Sequence, residues 1–145
     1  MSLFNSINIS ATGMTAERTR MDVISENIAN TNTTRTSSGN PYRRKLVVFS
    51  ENKTNFSDIL KNTLNSQNKS SGVKITAIKE DETPYKNIYE PGHPDANDQG
   101  YVRMPNVDVT KEMVDMISAT RAYEANITAL NSSKSMFMKA IDIGR

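Results

Sequence analysis

The stretch DVTKEMVDMISATRAYEANITALNSSKSMFMKAIDIG, residues 108–144, predicts the longest element of the chain. Two sets of residues recur in it at intervals of seven: Val109, Met116, Tyr123, Leu130 and Phe137, and Met113, Thr120, Ile127, Lys134 and Ile141. Two heptad registers with only two polar interruptions, Thr120 and Lys134, are typical of a coiled-coil helix. Asp108 is a predicted N-cap and Gly144 a predicted stop. We therefore expect a helix of about 33–35 residues, about 50 Å long.

The N-terminal end has the same spacing in a weaker form. Its apolar residues at intervals of seven are Ile7, Met14, Met21 and Ile28, and Leu3 and Ile24 fall four residues before two of them. Ser10 and Glu17 occupy the intermediate positions of that second register, so the apolar stripe is imperfect. The pattern predicts a helix over residues 3–30, ended by the Asn- and Thr-rich residues 30–34.

The residues between the two helices predict a small β-containing insert. Strands are expected within residues 42–49 and 73–78, with shorter ones at 85–89 and 101–102. A short amphipathic helix is predicted around residues 56–64, followed by a polar loop at 65–72.

The predicted organisation has three parts: an N-terminal core helix with an Ala-Asn-x-x-Thr element at 1–34, the insert at 35–108 and a C-terminal core helix at 109–145. The fold class expected is mainly α with a small β insert. The terminal helices are predicted to pair as an antiparallel coiled coil, with a middle region that contains β-hairpins.

The composition indicates a thin hydrophobic core. Leu, Ile, Val and Phe total 29 of 145 residues, about 20%, whereas Asn, Ser and Thr total 45. That apolar content is close to the limit below which highly charged chains are disordered, although the net charge here is only +2. The chain is therefore expected to complete its burial against partners, and its terminal helices are expected to be poorly ordered when it is alone.

Other classes are excluded by what the sequence lacks. It has no cysteine, which rules out disulfide scaffolds, thiolate metal sites and cysteine nucleophiles. The longest unbroken run of aliphatic and aromatic residues is LVVF at 46–49, far shorter than a membrane span. The first residues show no basic segment followed by an apolar stretch, so no cleaved signal peptide is expected.

Charge is divided unevenly along the chain. Residues 1–79 contain eleven Lys or Arg and five Asp or Glu, a net charge of +6. Residues 80–145 contain seven and eleven, a net charge of −4. The two halves are electrostatically complementary, either within one molecule or between neighbours.

His93, the only histidine, has Asp95 and Asp98 nearby, a grouping that could in principle bind a metal ion. A rigid turn with capping acids is the preferred reading, because a Pro- and Gly-rich loop does not obviously fix ligand geometry. Residues 95–106 also begin like a calcium-binding loop, but the twelfth position is Asn106 rather than the bidentate Glu. We expect neither metal nor cofactor.

Two charged runs carry alternative readings. Arg43, Arg44 and Lys45 form the densest basic cluster, which could contact phosphate but is more typical of a solvated strand edge. The acidic run at 80–82 is expected to be solvated, and no arrangement of nucleophile and base is apparent. The protein is predicted not to be an enzyme.

Six of the eight methionines, at positions 14, 21, 113, 116, 136 and 138, lie in the predicted terminal helices. They could be ordinary core filling. Alternatively, their flexible thioethers could let one surface pack against non-identical neighbours. The sequence leaves both interpretations open.

Three segments together resemble a known family. They are MDVISENIANTNT at 21–33; YEPGHPDAN at 89–97, with GYV at 100–102 and PNV at 105–107; and EMVDMISATRAYEAN at 112–126. The chain resembles the bacterial flagellar rod and hook axial proteins, most closely the C-type subunits of the proximal rod. The motif residues are Ala29, Asn30, Thr33, Pro91, Gly92, His93, Pro94, Asp95, Pro105, Asn106, Arg121, Tyr123 and Asn126.

The resemblance implies a structural, non-enzymatic role in a hollow, torque-transmitting rod. In that family the terminal helices pack as a layer around the export channel, and subunits leave through the flagellar type III export apparatus without signal-peptide cleavage. The expected location is the basal body beyond the inner membrane. The expected partners are copies of this chain, other rod proteins and the export apparatus, with no nucleic acid and no direct membrane span.

The core and assembly interface is predicted to consist of the heptad residues. These are Leu3, Ile7, Met14, Met21, Ile24, Ile28, Met113, Met116, Tyr123, Ile127, Leu130, Phe137 and Ile141.

The sequence patterns alone are compatible with two other functions. A cytoplasmic coiled-coil adaptor or chaperone-like dimer would use the same heptads. A nucleic-acid-binding protein would rely on Arg43, Arg44 and Lys45.

Overall fold

A computed structural model describes residues 3–52 and 72–144. In chain order its elements are helix α1 (Leu3–Ala29), strands β1 (Lys45–Glu51), β2 (Val73–Glu80), β3 (Lys86–Tyr89) and β4 (Tyr101–Met104), and helix α2 (Val109–Ile143). The prediction of a mainly α chain with a small β insert is confirmed. The helix and the loop predicted within residues 56–72 lie outside the described residues, except for Gly72.

The two helices pack against each other in opposite directions. Gly13 of α1 lies against Asn126 of α2, whereas Asn27, fourteen residues further along α1, bonds to Glu112. Residue numbers thus fall along α2 as they rise along α1. The terminal segments form one antiparallel helix pair.

Local sequence signals set the ends of both helices. Asp108 caps α2, since its Oδ1 accepts hydrogen bonds from the backbone N–H groups of Thr110 at 3.0 Å and Lys111 at 3.4 Å. At the end of α1, the Asn30 amide donates to the Glu26 carbonyl, and the Thr31 hydroxyl donates to the Ile28 carbonyl. These side chains compete with the backbone ladder and end the helix as predicted.

The first hairpin pairs β1 with β2 antiparallel and lies along α1. Its start is held near the end of α1, where the Lys45 N–H donates to Asn27, and its far end is held where the Val73 N–H donates to Thr12. A register shift between Val48 and Phe49 interrupts the pairing. This bulge moves the less exposed positions of β1 from residues 45 and 47 to residue 50.

The second hairpin pairs β3 with β4 antiparallel. The rings of Tyr89 and Tyr101 meet edge to face at its end, with centroids 5.3 Å apart. Gly100 directly precedes β4 and has a φ of 78°, and a Cβ there would lie 2.8 Å from the Tyr89 ring. Only glycine satisfies both requirements without strain.

The hydrophobic core is thin, as the composition predicts. Its buried apolar residues are Ala16, Val23, Ile24, Tyr42, Val102, Val107 and Ala119, accompanied by the polar Asn27, Arg44 and Glu112. In the described part of the chain, the largest fully buried side chains are Glu112, Val102, Asn27 and Pro105, and two of these four are polar. Polar contacts therefore occupy the part of the fold where apolar packing is expected.

The heptad residues do not line up as the periodicity predicts. On α1, Ile24 is buried and Ile7, Met14, Met21 and Ile28 are half-buried, while the side chain of Leu3 lies outside the described part. On α2, Met116, Tyr123 and Leu130 are half-buried, but Met113, Ile127, Phe137 and Ile141 are 36–53% exposed. On α2, Glu112 and Ala119 are the buried residues. Glu112 bonds to Asn27 of α1, and Asn126 lies against Gly13.

The physical reason is that α2 is rotated so that only one of its two heptad sets changes. Met116, Tyr123 and Leu130 stay on the half-buried side, and the Thr120 hydroxyl still lies 3.6 Å from Met21 Sδ. Each position of the set 112, 119 and 126 directly precedes a position of the predicted set 113, 120 and 127, and one residue corresponds to about 100° around a helix. The antiparallel pair is real, but within one subunit it is not the apolar heptad seam.

Candidate assembly site

A group of polar side chains lies where the end of α1, the segment before β1 and the start of α2 meet. We call Asn27, Tyr42, Arg44 and Glu112 the buried cluster. Their exposed fractions are 1%, 8%, 8% and 0%. Burial of this extent is tolerated only when such groups are paired.

Arg44 is the cation of the buried cluster. Its Nε donates to Glu112 Oε1 at 2.6 Å, its Nη1 lies 3.5 Å from Asp81 Oδ2 and its Nη2 lies 3.3 Å from Asp115 Oδ2. Three carboxylates from two different elements thus surround one guanidinium. This arrangement connects the insert to α2.

Asn27 connects the insert to α1 through all of its hydrogen-bonding groups. Its amide donates to Glu112 Oε2 at 3.0 Å and to the Lys45 carbonyl at 2.9 Å. Its oxygen accepts from the Tyr42 hydroxyl at 3.0 Å and from the Lys45 N–H at 2.9 Å. One side chain therefore links three parts of the chain.

The environment shifts the pKa values of these groups in consistent directions. Burial, together with the nearby carboxylates of Glu26 and Glu112, raises the pKa of Tyr42 to about 12. Burial opposes the charge of Arg44, but the hydrogen bond and proximity of Glu112 outweigh it, so the pKa of Arg44 is raised. Hydrogen bonds from the backbone and side chain of Thr83, together with Arg44, lower the pKa of Asp81. The buried cluster therefore favours a neutral Tyr42 hydroxyl and a charged Arg44 guanidinium.

The basic run at 43–45 is not a solvated strand edge, and that interpretation is wrong. Arg44 is buried, Arg43 lies over the Tyr85 ring at 4.8 Å, and Lys45 pairs with Glu26. All three cations are engaged within the subunit. The reading of this run as a phosphate-binding surface loses its support.

The charges of the two halves pair within one subunit. Besides the contacts of Arg44, Arg20 lies 3.5 Å from Asp115 and Arg35 lies 3.9 Å from Asp95. Each of these pairs joins a cation from the first 79 residues to an anion from the remainder. The uneven charge distribution thus corresponds to contacts between distant segments.

The Pro- and Gly-rich motif residues form a turn held by local bonds. The Asp95 N–H donates to His93 Nδ1 at 3.0 Å, and the Asp95 carboxylate accepts from the Thr34 hydroxyl at 2.8 Å. Within residues 3–52 and 72–144, no three His, Asp or Glu side chains are grouped so as to hold a metal ion. Pro91, Gly92 and Pro94 are exposed in this turn.

The remaining motif residues play different structural parts. Pro105 is buried, and Asn106 accepts from the Arg44 N–H at 2.8 Å while donating to the carbonyls of Asp81 and Thr83. Arg121 is exposed and Tyr123 is half-buried. Among the other motif residues, Ala29 is exposed, and the Thr33 hydroxyl donates to Asn30 Oδ1 at 3.1 Å.

An apolar face of α2 is left exposed in the single subunit. Met113, Val114 and Ile117 are 53%, 62% and 55% exposed, and the residues near the C-terminal end are similar. At about 100° per residue, the exposed apolar residues that share one side of α2 are Val109, Met113, Ile117, Ile127, Met138 and Ile141. We call these residues the α2 apolar face. Single exposed apolar residues are common, but a row along one helix marks an interaction surface.

Sequence patterns assign no role to Asn27, Glu112 or Asp115. They predict that Asp81 is solvated with the rest of its acidic run, which is wrong for this residue, since its half-buried carboxylate pairs with Arg44. Asn27 and Glu112 lie inside the family segments, but apolar periodicity gives polar residues no weight. The available signal was the opposite net charge of the two halves, which predicts ion pairs without saying which residues form them.

Neither α1 nor α2, the two helices in the described part of the chain, has an apolar stretch of the length that crossing a membrane requires.

Comparison with known proteins agrees with this architecture. The family model "Flagella basal body rod protein" matches residues 7–35, and "Flagellar basal body rod FlgEFG protein C-terminal" matches residues 98–143. The chain is 49% identical to the flagellar basal-body rod protein FlgC of Bacillus subtilis, with 100% of both chains covered. It is 48% identical to FlgC of Borreliella burgdorferi, covering 99% of this chain and 98% of the relative, and 39% identical to FlgC of Salmonella typhimurium, covering 100% of both. The chain therefore belongs to the FlgC family of flagellar basal-body rod proteins.

Proposed function

We propose that this chain is a non-enzymatic building block of the proximal rod, which it completes by packing its helices against neighbouring subunits. As a member of a rod protein family it is a structural subunit. The finer proposal is that α1 and α2 join those of neighbours in a coiled-coil-like layer around the export channel. The α2 apolar face is the observation that carries this proposal.

The exposed area is large enough to drive assembly. Burying a whole aliphatic side chain is worth about 1.5–3 kcal/mol, so burying the exposed half of one is worth ~1 kcal/mol. Met113 and Ile117 each expose about that fraction. A row of such residues supplies several kcal/mol for each subunit that joins.

The C-terminal end of α2 is where a neighbour is most needed. Since Gly13 lies opposite Asn126 and Asn27 opposite Glu112, Leu3 falls opposite roughly residue 136 at equal rise per residue. The last turns of α2 thus extend past the first described turn of α1. Met138, Ile141 and Ile143 there are 53%, 49% and 86% exposed.

We also propose that the chain leaves the cytoplasm through the flagellar type III export apparatus and acts beyond the inner membrane. A thin core that is completed only on assembly favours this route, because little stability opposes unfolding before export. Fractionation of cells that lack a working export gate tests the route. The chain is expected to remain in the cytoplasm of such cells, and export without the gate would contradict the proposal.

Charged substitutions on the α2 apolar face test the assembly proposal. Met113→Asp combined with Ile117→Asp, introduced in place of the native gene, is expected to abolish rod formation and motility. Both side chains are exposed, so the purified variant should keep its helical circular dichroism. The matched control is Ser118→Asp combined with Ser132→Asp, which places two charges on exposed polar positions of the same helix.

The control strain is expected to build rods and swim. Normal rods in the Met113→Asp and Ile117→Asp strain, or equal loss in both strains, would contradict the proposal. Electron microscopy of purified basal bodies distinguishes absent rods from rods that are built but fail to rotate.

A further inference from the structure

We propose that the buried cluster sets the rotation of α2 about its own axis and thereby selects the face that α2 presents to other subunits. The importance of that face for assembly rests on the proposed function. The rotation itself is a property of the single subunit. Asn27, Arg44 and Glu112 are therefore positioning residues.

Two faces of α2 compete for contact with α1. Apolar burial alone favours the seam that contains Met113 and Ile127, since these residues repeat with the heptads. Instead, Glu112 and Asn126 contact α1, and Ala119 between them is buried. The half-buried Met116, Tyr123 and Leu130 are common to both arrangements. Apolar packing therefore does not explain the observed rotation.

The hydrogen bonds of Glu112 are directional and explain it. One carboxylate oxygen accepts from Arg44 at 2.6 Å, and the other accepts from Asn27 at 3.0 Å. Turning α2 by one residue would move the carboxylate about 100° around the helix and break both bonds. It would also put the apolar Met113 against a buried guanidinium and amide. A buried polar residue at a helix interface is a known means of fixing register.

A second close contact between α1 and α2 exists only at the observed rotation of α2. A Cβ placed on Gly13 would lie 3.0–3.2 Å from the side-chain amide atoms of Asn126. Glycine at this position lets α1 approach Asn126 closely. The contact lies fourteen residues from Asn27 along α1, so the observed rotation extends well beyond the buried cluster.

The absence of cysteine from the sequence makes disulfide formation a clean reporter of rotation. Because the Cβ built on Gly13 lies 3.2 Å from Asn126 Cγ, Gly13→Cys with Asn126→Cys places one sulfur close to the other residue's Cβ, as a disulfide needs. The second reporter is Gly13→Cys with Ile127→Cys and Asn126→Ala, which requires the turned helix. In the otherwise native full-length chain, the first pair is expected to oxidise at least tenfold faster than the second.

Arg44→Met combined with Glu112→Met removes both members of the buried ion pair, while Asp81 keeps its bond from Thr83 and Asp115 keeps Arg20. Replacement of a buried ion pair by apolar residues is often neutral or stabilising, so the urea midpoint should fall by no more than the lost bond between Asn27 and Glu112 costs. The ratio of the two oxidation rates is expected to fall at least tenfold. Glu112→Met alone, in which Arg44 keeps Asp81 and Asp115, should lower the ratio in the same direction and serves if the double variant does not fold. Glu112→Gln, which keeps an acceptor for Arg44, should preserve the first pair.

An unchanged ratio in the folded Met variants, or equal oxidation of both reporters in the native background, would overturn the inference. These outcomes do not depend on rods and leave the proposed function standing. A lowered ratio with normal rods in the double-Met strain would overturn the link between rotation and assembly. If the α2 apolar face takes no part in assembly, the strain with Met113→Asp and Ile117→Asp will instead build normal rods.

Discussion

Asn27→Ala is expected to destabilise the subunit more than any other single asparagine truncation on α1. The change removes four hydrogen bonds, of which those to Glu112 and Tyr42 are buried and those to the backbone of Lys45 are partly buried. A lost bond costs about 0.5–1.5 kcal/mol, and a buried partner left unsatisfied costs about 1–3 kcal/mol. Water can reach Lys45 but not Glu112, so we expect a loss of about 3–4 kcal/mol.

That loss is a large fraction of the total stability of a domain, which is about 5–15 kcal/mol. The assay is urea unfolding of the purified chain followed by far-UV circular dichroism. With a typical m value of about 2 kcal/mol per molar urea, the midpoint should fall by about 1.5–2 M at unchanged m. Asn27→Asp should be at least as damaging, because it cannot donate to Lys45 and adds a charge next to Glu112.

The matched control is Asn30→Ala, three residues further along the chain. Asn30 is half-buried, and its side-chain bonds are local, to Glu26 and Thr33. Its truncation should cost less than about 1 kcal/mol. If the two alanine variants unfold within about 0.5 kcal/mol of each other, Asn27 does not link the helices to the insert as we argue.

Three further predictions use the same unfolding assay. Gly100→Ala should cost about 1–3 kcal/mol because Gly100 has a positive φ and lies close to the Tyr89 ring. Gly92→Ala, with open space around it, should be nearly neutral, and equal effects of the two substitutions would contradict the prediction. The pKa of Tyr42 is raised to about 12 from 10.0, so its neutral form stabilises the fold fully below pH 10. Up to about 2 kcal/mol of stability is lost as the pH rises through 12. Tyr42→Phe should flatten this alkaline loss, and a pH profile identical to that of the native chain would contradict the prediction. Asp108→Ala should cost about 1 kcal/mol by removing the N-cap of α2, and Asp108→Asn should restore most of it; no loss on truncation would contradict the capping role.

Much of the fold follows from local signals in the sequence. The start of α2 is predicted by Asp108 after Pro105 and Asn106, and the end of α1 by its run of Asn and Thr. The strands follow from β-branched and aromatic runs, which fit a pleated, half-buried surface. Local preferences of this kind act over a few residues, so they can be read before the tertiary structure is known.

The rotation of α2 and the buried cluster could not be predicted in this way. Arg44 and Glu112 are 68 residues apart, and their pairing exists only once the segment before β1 reaches the start of α2. Periodicity placed Met113 and Ile127 at the interface because they are apolar. The directional bonds of Glu112 and Asn27 outweigh that preference, and the displaced apolar residues become the α2 apolar face.

Hydrogen exchange, measured by mass spectrometry on the isolated chain and on purified rods, tests most directly the claim that the core is completed by assembly. In the isolated chain, we expect protection at residues 16–29 and 109–122, near the buried cluster, and fast exchange at residues 130–143. In the rod, residues 130–143 should become protected, with rates reduced by at least a hundredfold. Strong protection throughout both helices of the isolated chain, unchanged on assembly, would contradict the account.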